Sequence, residues 1–251
     1  MDVLNQQSFY SGTSGLVLPV PNKQAYPPEF RDRSRLCYYA SLFNSIEINS
    51  SFYKVPMGAT VIKWVESVPD NFVFTFKLWR DITHNKGLVF EPRAVAHFMN
   101  VINNAGVKKE SLLVQFPPSL KADNLPQLSN LLQCIRHADP DNGWQAAVEF
   151  RHASWYQDKT YYLLDRYQMG MVIHDMPASA TPLMETEVDF IYLRFHGPGG
   201  RYNGSYSDDF LQEYAGYVQD WLADGKTVYA YFNNTMGAAV QNLAVLNSMV
   251  K

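Results

Sequence analysis

Cysteine is scarce: Cys37 and Cys134 are the only two in 251 residues, and they do not form a C-x-x-C pair. That excludes a disulfide scaffold, a zinc ribbon and a thioredoxin-type redox motif. Cys37 lies in Leu36-Cys37-Tyr38-Tyr39-Ala40 and Cys134 in Leu131-Leu132-Gln133-Cys134-Ile135, so both read as small apolar core residues of helices. No uninterrupted apolar run approaches the roughly 20 residues of a membrane span. Met1–Gln7 has neither the basic n-region nor the apolar h-region of a secretory leader. These absences fit a soluble, cytoplasmic protein with no membrane partner. Surplus basic charge is also missing, the net charge being −3. A domain adapted to the phosphate backbone is usually basic, which argues against a general nucleic-acid binder while leaving room for one local cationic pocket. There is no G-x-G-x-x-G after the first strand-like run, no P-loop and no H-E-x-x-H. Repeats, low-complexity tracts and linkers are absent too.

What is present is an alternation. Eight short runs rich in β-branched and aromatic residues recur: Ser8–Gly12, Ser45–Asn49, Phe72–Leu78, Leu112–Phe116, Ala146–Phe150, Met171–His174, Phe190–Phe195 and Val228–Phe232. Several are almost continuously apolar, as parallel strands buried on both faces are. Between them lie helical spacings, over 31–43 (Leu36, Tyr39, Ala40, Phe43), 124–138 (Leu128, Leu131, Leu132, Ile135) and 210–223 (Leu211, Tyr214, Ala215, Val218). Ser207 is a candidate N-cap, Asp208 and Asp209 suit the helix dipole, and Gly225 sits where a glycine ends a helix. Eight such units predict a single-domain (β/α)8 TIM-like barrel over 1–251, with strands ending near 13, 49, 78, 116, 151, 174, 196 and 233. A doubly wound open sheet is the runner-up. One unit is irregular: between Asp175 and Phe190 there are two prolines and little helical periodicity.

In a barrel, chemistry sits at the C-terminal strand ends and the loops that follow, and here those ends are polar. Run 1 ends in Thr13-Ser14. Run 2 offers Glu47 and Asn49, two apart and so on one face. Run 3 offers Lys77, then Thr83 and His84; run 4 ends at Gln115. Run 5 offers Glu149 and Arg151, then His152; run 6 ends in His174-Asp175; run 7 offers Arg194 and His196; run 8 ends in Asn233-Asn234. Four of the six histidines (84, 152, 174 and 196) fall at this mouth, while His97 and His137 fall in helices, so convergence by accident is a poor explanation. The bland reading of Glu47, Glu149, Asp175, Lys77, Arg151 and Arg194 is a buried, mutually neutralised network. Taking those charges out of water is costly unless each is paired. Phe52, Tyr53, Trp79, Trp155, Tyr202 and Tyr206 could stack on a planar or sugar-like ligand or pack the loops. Gly197-Pro198-Gly199-Gly200 could bring backbone amides to an anion, but lacks the spacing and lysine of a P-loop.

These strand ends resemble a known family. Glu47-Ile48-Asn49-Ser50-Ser51-Phe52-Tyr53, Thr83-His84, Gln115-Phe116-Pro117-Pro118, Val148-Glu149-Phe150-Arg151-His152 with Trp155, Arg194-Phe195-His196-Gly197 with Tyr202 and Tyr206, and Tyr231-Phe232-Asn233-Asn234 are similar to the YecE-like family, domain of unknown function 72. The resemblance runs from Gly12 to the C-terminal helix and implies a TIM-like barrel with long loops; it implies no reaction. One departure is Leu16, where the family's Gly-Thr-Ser-Gly segment usually continues with an aromatic residue.

The residues support an enzyme acting on a small anionic or polar metabolite. Arg151, Arg194 and Lys77 would hold the anion. Glu47 or Glu149 would be general base, with His196 or His84 as acid partner. Asn49, Tyr53, Gln115, His152, Trp155, Asp175, Tyr202, Tyr206 and Asn233 would line the site. Three alternatives use the same residues. A divalent-metal-dependent hydrolase or isomerase would draw on Glu47, Glu149, Asp175, His152, His174 and His196, although neighbouring cations oppose a metal. A glycosidase would use Glu47 and Glu149 as its carboxyl pair, at a separation suited to inversion. A non-catalytic binder of a nucleotide or nucleic-acid end would use the cations and aromatics. The sequence does not specify a cofactor, and the metal-dependent alternative keeps that question open.

Overall fold

A computed structural model describes residues 9–183 and 187–250. The expectation about a leader at Met1–Gln7, and Ser8 of the first run, lie outside the described residues. The eight runs are strands: β1 Phe9–Thr13, β2 Ser45–Ile48, β3 Val73–Lys77, β4 Lys109–Gln115, β5 Gln145–Glu149, β6 Gly170–His174, β7 Phe190–Phe195 and β8 Thr227–Phe232. All ladders are parallel, neighbours follow chain order, and β1 pairs with β8. This is the eight-stranded TIM-like barrel that the alternation predicts; an open doubly wound sheet would not set its first strand against its last.

Helices α1 Arg35–Ala40, α3 Gly58–Glu66, α5 Pro92–Ile102, α6 Leu125–Ala138, α7 Asp158–Arg166, α8 Asp208–Ala223 and α9 Ala239–Met249 surround the barrel, while α2 Ser50–Tyr53 and α4 Arg80–Thr83 are single turns just past β2 and β3. No helix joins β6 to β7 among the described residues, in keeping with the prolines there. Local chemistry explains the boundaries. The Ser207 hydroxyl accepts the Phe210 amide, Asp208 and Asp209 occupy the first turn of α8, and Gly225 follows it with φ +79°. α1 begins four residues later than its periodicity suggests, because Ser34 is extended and caps it by accepting the Cys37 amide at 3.0 Å. Cys37 and Cys134 are half-buried on their helices, not core residues; the core positions beside them belong to Leu36, Tyr39, Leu131 and Ile135.

Strand alternation divides the apolar residues between two faces. Phe74, Phe76, Leu112, Val114, Val148, Leu193 and Phe232 meet the helices. Leu113, Ala147, Val172, Phe190, Tyr192, Tyr229 and Tyr231 fill the barrel below the mouth. Between β1 and β2 the wall closes differently. Gly12 lies so near Ser45 that a Cβ would stand 2.1 Å from the Ser45 carbonyl oxygen. Side chains bridge this seam. The Tyr39 hydroxyl accepts the Thr13 amide at 2.7 Å and donates to the Ser45 carbonyl at 3.2 Å. The Asn44 amide accepts from Ser11 N–H at 2.9 Å and donates to Phe9 O at 2.8 Å. Main chain resumes at the mouth, where Gly15 N–H donates to Glu47 O at 2.8 Å.

Candidate functional site

The inward positions of β2, β3, β5 and β7 near their C-terminal ends are Glu47, Lys77, Glu149 and Arg194, with Arg151 and His196 one step further up. Arg194 is the centre of this set. Its Nε and Nη2 grip Glu47 Oε2 and Oε1 at 2.9 and 2.7 Å, a bidentate fork. Nη1 donates to Glu149 Oε2 at 2.6 Å and to His196 Nε2 at 3.2 Å, and Nη2 also donates to Ser14 Oγ at 3.2 Å. All five guanidinium protons are thereby directed at protein acceptors. Glu47 takes two further bonds, from the Ser14 and Tyr192 hydroxyls. Burial alone would raise its pKa, but the Arg194 charge outweighs that and holds the carboxyl below its usual range. Glu149 is buried in the same way and is held well below that range by Arg151 and then Arg194.

Arg151 donates from Nε to Glu149 Oε1 and from Nη2 to His196 Nε2 at 2.8 Å. A guanidinium cannot accept, so His196 Nε2 carries the lone pair and Nδ1 carries the proton. Nδ1 then donates to Asp175 Oδ1 at 3.3 Å. Burial, only partly opposed by Asp175, lowers the His196 pKa to about 4, which fits this neutral tautomer. Asp175 is itself fixed by the His196 amide at 2.7 Å and by the Tyr206 hydroxyl. His174 is likewise neutral: Nε2–H donates to Phe150 O at 2.8 Å, Nδ1 accepts from Met176 N–H at 3.2 Å, and burial lowers its pKa.

Above this layer are the groups that reach the mouth. Arg151 has protons left over, both on Nη1 and one on Nη2, with no protein acceptor among the described residues. Lys77 Nζ stands 4.1 Å from the centre of the Phe52 ring. Asn49 opens the turn just past β2, and its Oδ1 is buried without a hydrogen-bond partner among the described residues. His84 is half-buried, bonded through Nδ1 to the Thr83 hydroxyl at 2.8 Å, and burial followed by the Lys77 charge lowers its pKa to about 4. Gln115 and Asn233 are nearly buried on inward positions of β4 and just past β8, with the Gln115 amide donating to Phe116 O. Tyr53 and Tyr202 are exposed, and the Tyr202 ring edge meets His196 at 5.8 Å.

Several expectations need correcting on geometry. Arg194, read from the sequence as an anion contact, has no free donor. Glu47 and Glu149, read as bases, have their oxygens on guanidinium groups and their basicity reduced; a glycosidase would need one of them protonated with a raised pKa. Trp155 is fully buried, stacked on Phe150 at 4.6 Å, with its indole N–H spent on Leu120 O at 2.9 Å. Tyr206 is buried against Phe210 and serves Asp175, and His152 Nδ1 caps a short turn by accepting Ser154 N–H. Gly197-Pro198-Gly199-Gly200 is a tight turn: Gly197 N–H goes to the Tyr206 hydroxyl and Gly200 N–H to Gly197 O. No group of three or more His, Cys, Asp or Glu is arranged for a metal among the described residues, and the two glutamates face guanidinium groups instead of vacant coordination positions, so the set does not fit the divalent ion of the metal-dependent alternative. The sequence reading missed Ser14 and Tyr192 as partners of Glu47, although Tyr192 shares the face of Arg194 two residues later.

The family model described as "Protein of unknown function DUF72" matches residues 10–251. The chain belongs to the DUF72 family. Among its relatives is the UPF0759 protein YunF of Bacillus subtilis, 27% identical over 84% of each chain. The UPF0759 protein YecE of Escherichia coli is 26% identical over 47% of this chain. DUF72 proteins of Enterococcus faecalis and Thermotoga maritima superpose with TM-scores of 0.78 and 0.72 at 23% and 24% identity, covering 96% of this chain and 95% and 98% of theirs. At those identities the likeness shows the barrel of this DUF72 protein and no more. None of its helices among the described residues is long and apolar enough to cross a membrane.

Proposed function

We propose that this DUF72 protein is an enzyme that takes a small anionic metabolite at the C-terminal mouth of its barrel, with Arg151 as the fixed positive contact. The observation that carries the reading is the unequal use of the two arginines. Arg194 is saturated and makes the floor, whereas Arg151 keeps three of its five protons free while being held rigidly by Glu149 and His196. A guanidinium pinned on one edge and free on the other is prepared for a carboxylate or phosphate at low entropic cost. Lys77 adds a second cation. The unpartnered Asn49 oxygen calls for a hydrogen-bond donor on the ligand, as a hydroxyl of a sugar-like acid or phosphate would supply. Proton transfer then falls to Lys77 and neutral His84 at the rim, since both glutamates are sequestered.

Thermal unfolding with inorganic phosphate, sulfate and small sugar phosphates tests this. Saturable stabilisation of the wild type is expected, about 2.7 kcal/mol when the ligand is at a hundred times its Kd, and Arg151→Ala should abolish it. If none of these anions raises the wild-type midpoint, the reading fails. A shallow salt dependence is expected for one small anion; a steep one would point to a nucleic-acid end.

A further inference from the structure

We propose that Lys77 forms a covalent bond with substrate: its amine takes the carbonyl carbon of an anionic aldehyde or ketone as an imine. The inference rests on the anion site proposed above and gives that site a substrate class.

Two lysines are nearly buried among the described residues, and they are satisfied very differently. Lys108, 6% exposed, is satisfied as a structural ammonium should be, donating to Val65 O at 3.0 Å and Val68 O at 2.7 Å with Asp70 at 3.9 Å. Lys77, 7% exposed, has no hydrogen bond from its ammonium and no ion pair among the described residues; its close contact is the face of Phe52. The carboxylates that could have paired with it, Glu47 and Glu149, are gripped by Arg194 and Arg151. An ammonium in such a place loses its hydration with only partial compensation from the Phe52 face and the Glu47 and Glu149 charges, and the neutral amine loses far less. Desolvation first, and the positive charge of Arg194 second, bring its pKa down to about 8. A desolvated amine beside fixed cations is the environment in which a lysine becomes a nucleophile at neutral pH.

Its position suits the step. The Lys77 backbone is fastened at both ends, the N–H donating to Ser51 Oγ at 3.1 Å and the carbonyl accepting from the same hydroxyl at 2.7 Å, so the side chain springs from a fixed point. Arg151 would hold the carboxylate or phosphate of the substrate. The amine lone pair attacks the carbonyl carbon and forms the C–N bond as the C=O π bond breaks; the oxygen takes up two protons in turn and leaves as water, and the nitrogen gives up two as the C=N bond forms. No oxidant or reductant enters. The neutral His84 ring, whose edge rests on the same Phe52 at 4.9 Å, is available to carry the proton.

The test is borohydride trapping of the full-length wild type with glyoxylate, pyruvate, glycolaldehyde phosphate and, as an uncharged control, glyceraldehyde, with peptide mass spectrometry locating the reduced adduct. Lys77 should be labelled at least about tenfold over the exposed Lys54 at neutral pH, because lowering the Lys77 pKa from 10.5 to about 8 greatly enlarges its own neutral fraction. The anionic probes should outperform glyceraldehyde, and Arg151→Ala should remove that advantage. Lys77→Arg keeps the positive charge and should abolish specific labelling. If Lys77 is labelled no more than Lys54 with all four probes, the imine proposal is wrong. Phosphate-induced stabilisation, read on the same preparation, then decides separately whether the anion site stands.

Discussion

Replacing Arg194 by methionine is the sharpest perturbation of the barrel interior. The guanidinium makes five hydrogen bonds, two of them the fork on Glu47. Its removal leaves Glu149 with Arg151, but Glu47 loses the one ion pair it has among the described residues and keeps the Ser14 and Tyr192 hydroxyls. Breaking a buried pair from one side costs about 3–5 kcal/mol, out of a total of roughly 5–15 kcal/mol for a folded domain. For a chain of this size that lowers the melting midpoint by roughly 6–20 °C. The pH dependence carries more information. In the wild type both glutamates titrate below the usual carboxylate range, so their contribution is present above that range and lost as pH falls through the depressed folded pKa. In Arg194→Met, Glu47 is buried with only the more distant Lys77 charge to offset desolvation, its folded pKa rises, and stability is lost as pH rises. Urea unfolding followed by circular dichroism at about pH 4.5, 6 and 7.5 should therefore show the gap between the two proteins widening with pH. Arg194→Met combined with Glu47→Gln removes the stranded charge and should recover much of the loss at the highest pH. A gap that is constant with pH, or smaller than about 1 kcal/mol, would refute the reasoning.

Two further outcomes follow from the geometry. Tyr39→Phe deletes the hydroxyl that joins Thr13 to Ser45, and should cost about 1–3 kcal/mol in denaturant unfolding while speeding hydrogen exchange at the Thr13 amide above that of its β8-paired neighbours. His84 and His196, each with a pKa near 4, should keep neutral-ring nitrogen shifts between about pH 5.5 and 8, where an ordinary histidine titrates; His196 should show its proton on Nδ1.

The strand ends were legible to within two residues, because a parallel strand buried on both faces leaves a dense apolar run that stops abruptly where the mouth begins. The pairs Glu149/Arg151 and Arg194/His196 were legible because alternation fixes which face a side chain takes, whereas Asn49 lies past β2 in helical backbone, where alternation no longer applies. What alternation cannot specify is the neighbour across the barrel. That Arg194 spends every proton on Glu47, Glu149, His196 and Ser14, while Arg151 does not, depends on partners as far as 180, 147 and 45 positions away. Nor did pattern reveal that Trp155 turns inward under the loop after β5, since its partner is a bare carbonyl at Leu120. The seam residues Tyr39 and Asn44 read as ordinary helix and loop residues, and their hydrogen bonds to β1 exist only once the circle has closed.

That seam makes one junction of the wall different in kind from the others. Seven junctions are parallel backbone ladders, the one between β3 and β4 carrying a register shift. The eighth is held by the Tyr39 and Asn44 side chains, by the Gly15 amide on Glu47 O and by the Ser14 hydroxyl on the Glu47 carboxylate. β2 carries Glu47, and Ser14 lies just past β1. Arg194 bonds to both of them from inside the barrel. The floor of the mouth is therefore also the rivet of its one side-chain joint, so a change at Arg194 would loosen the wall together with the floor.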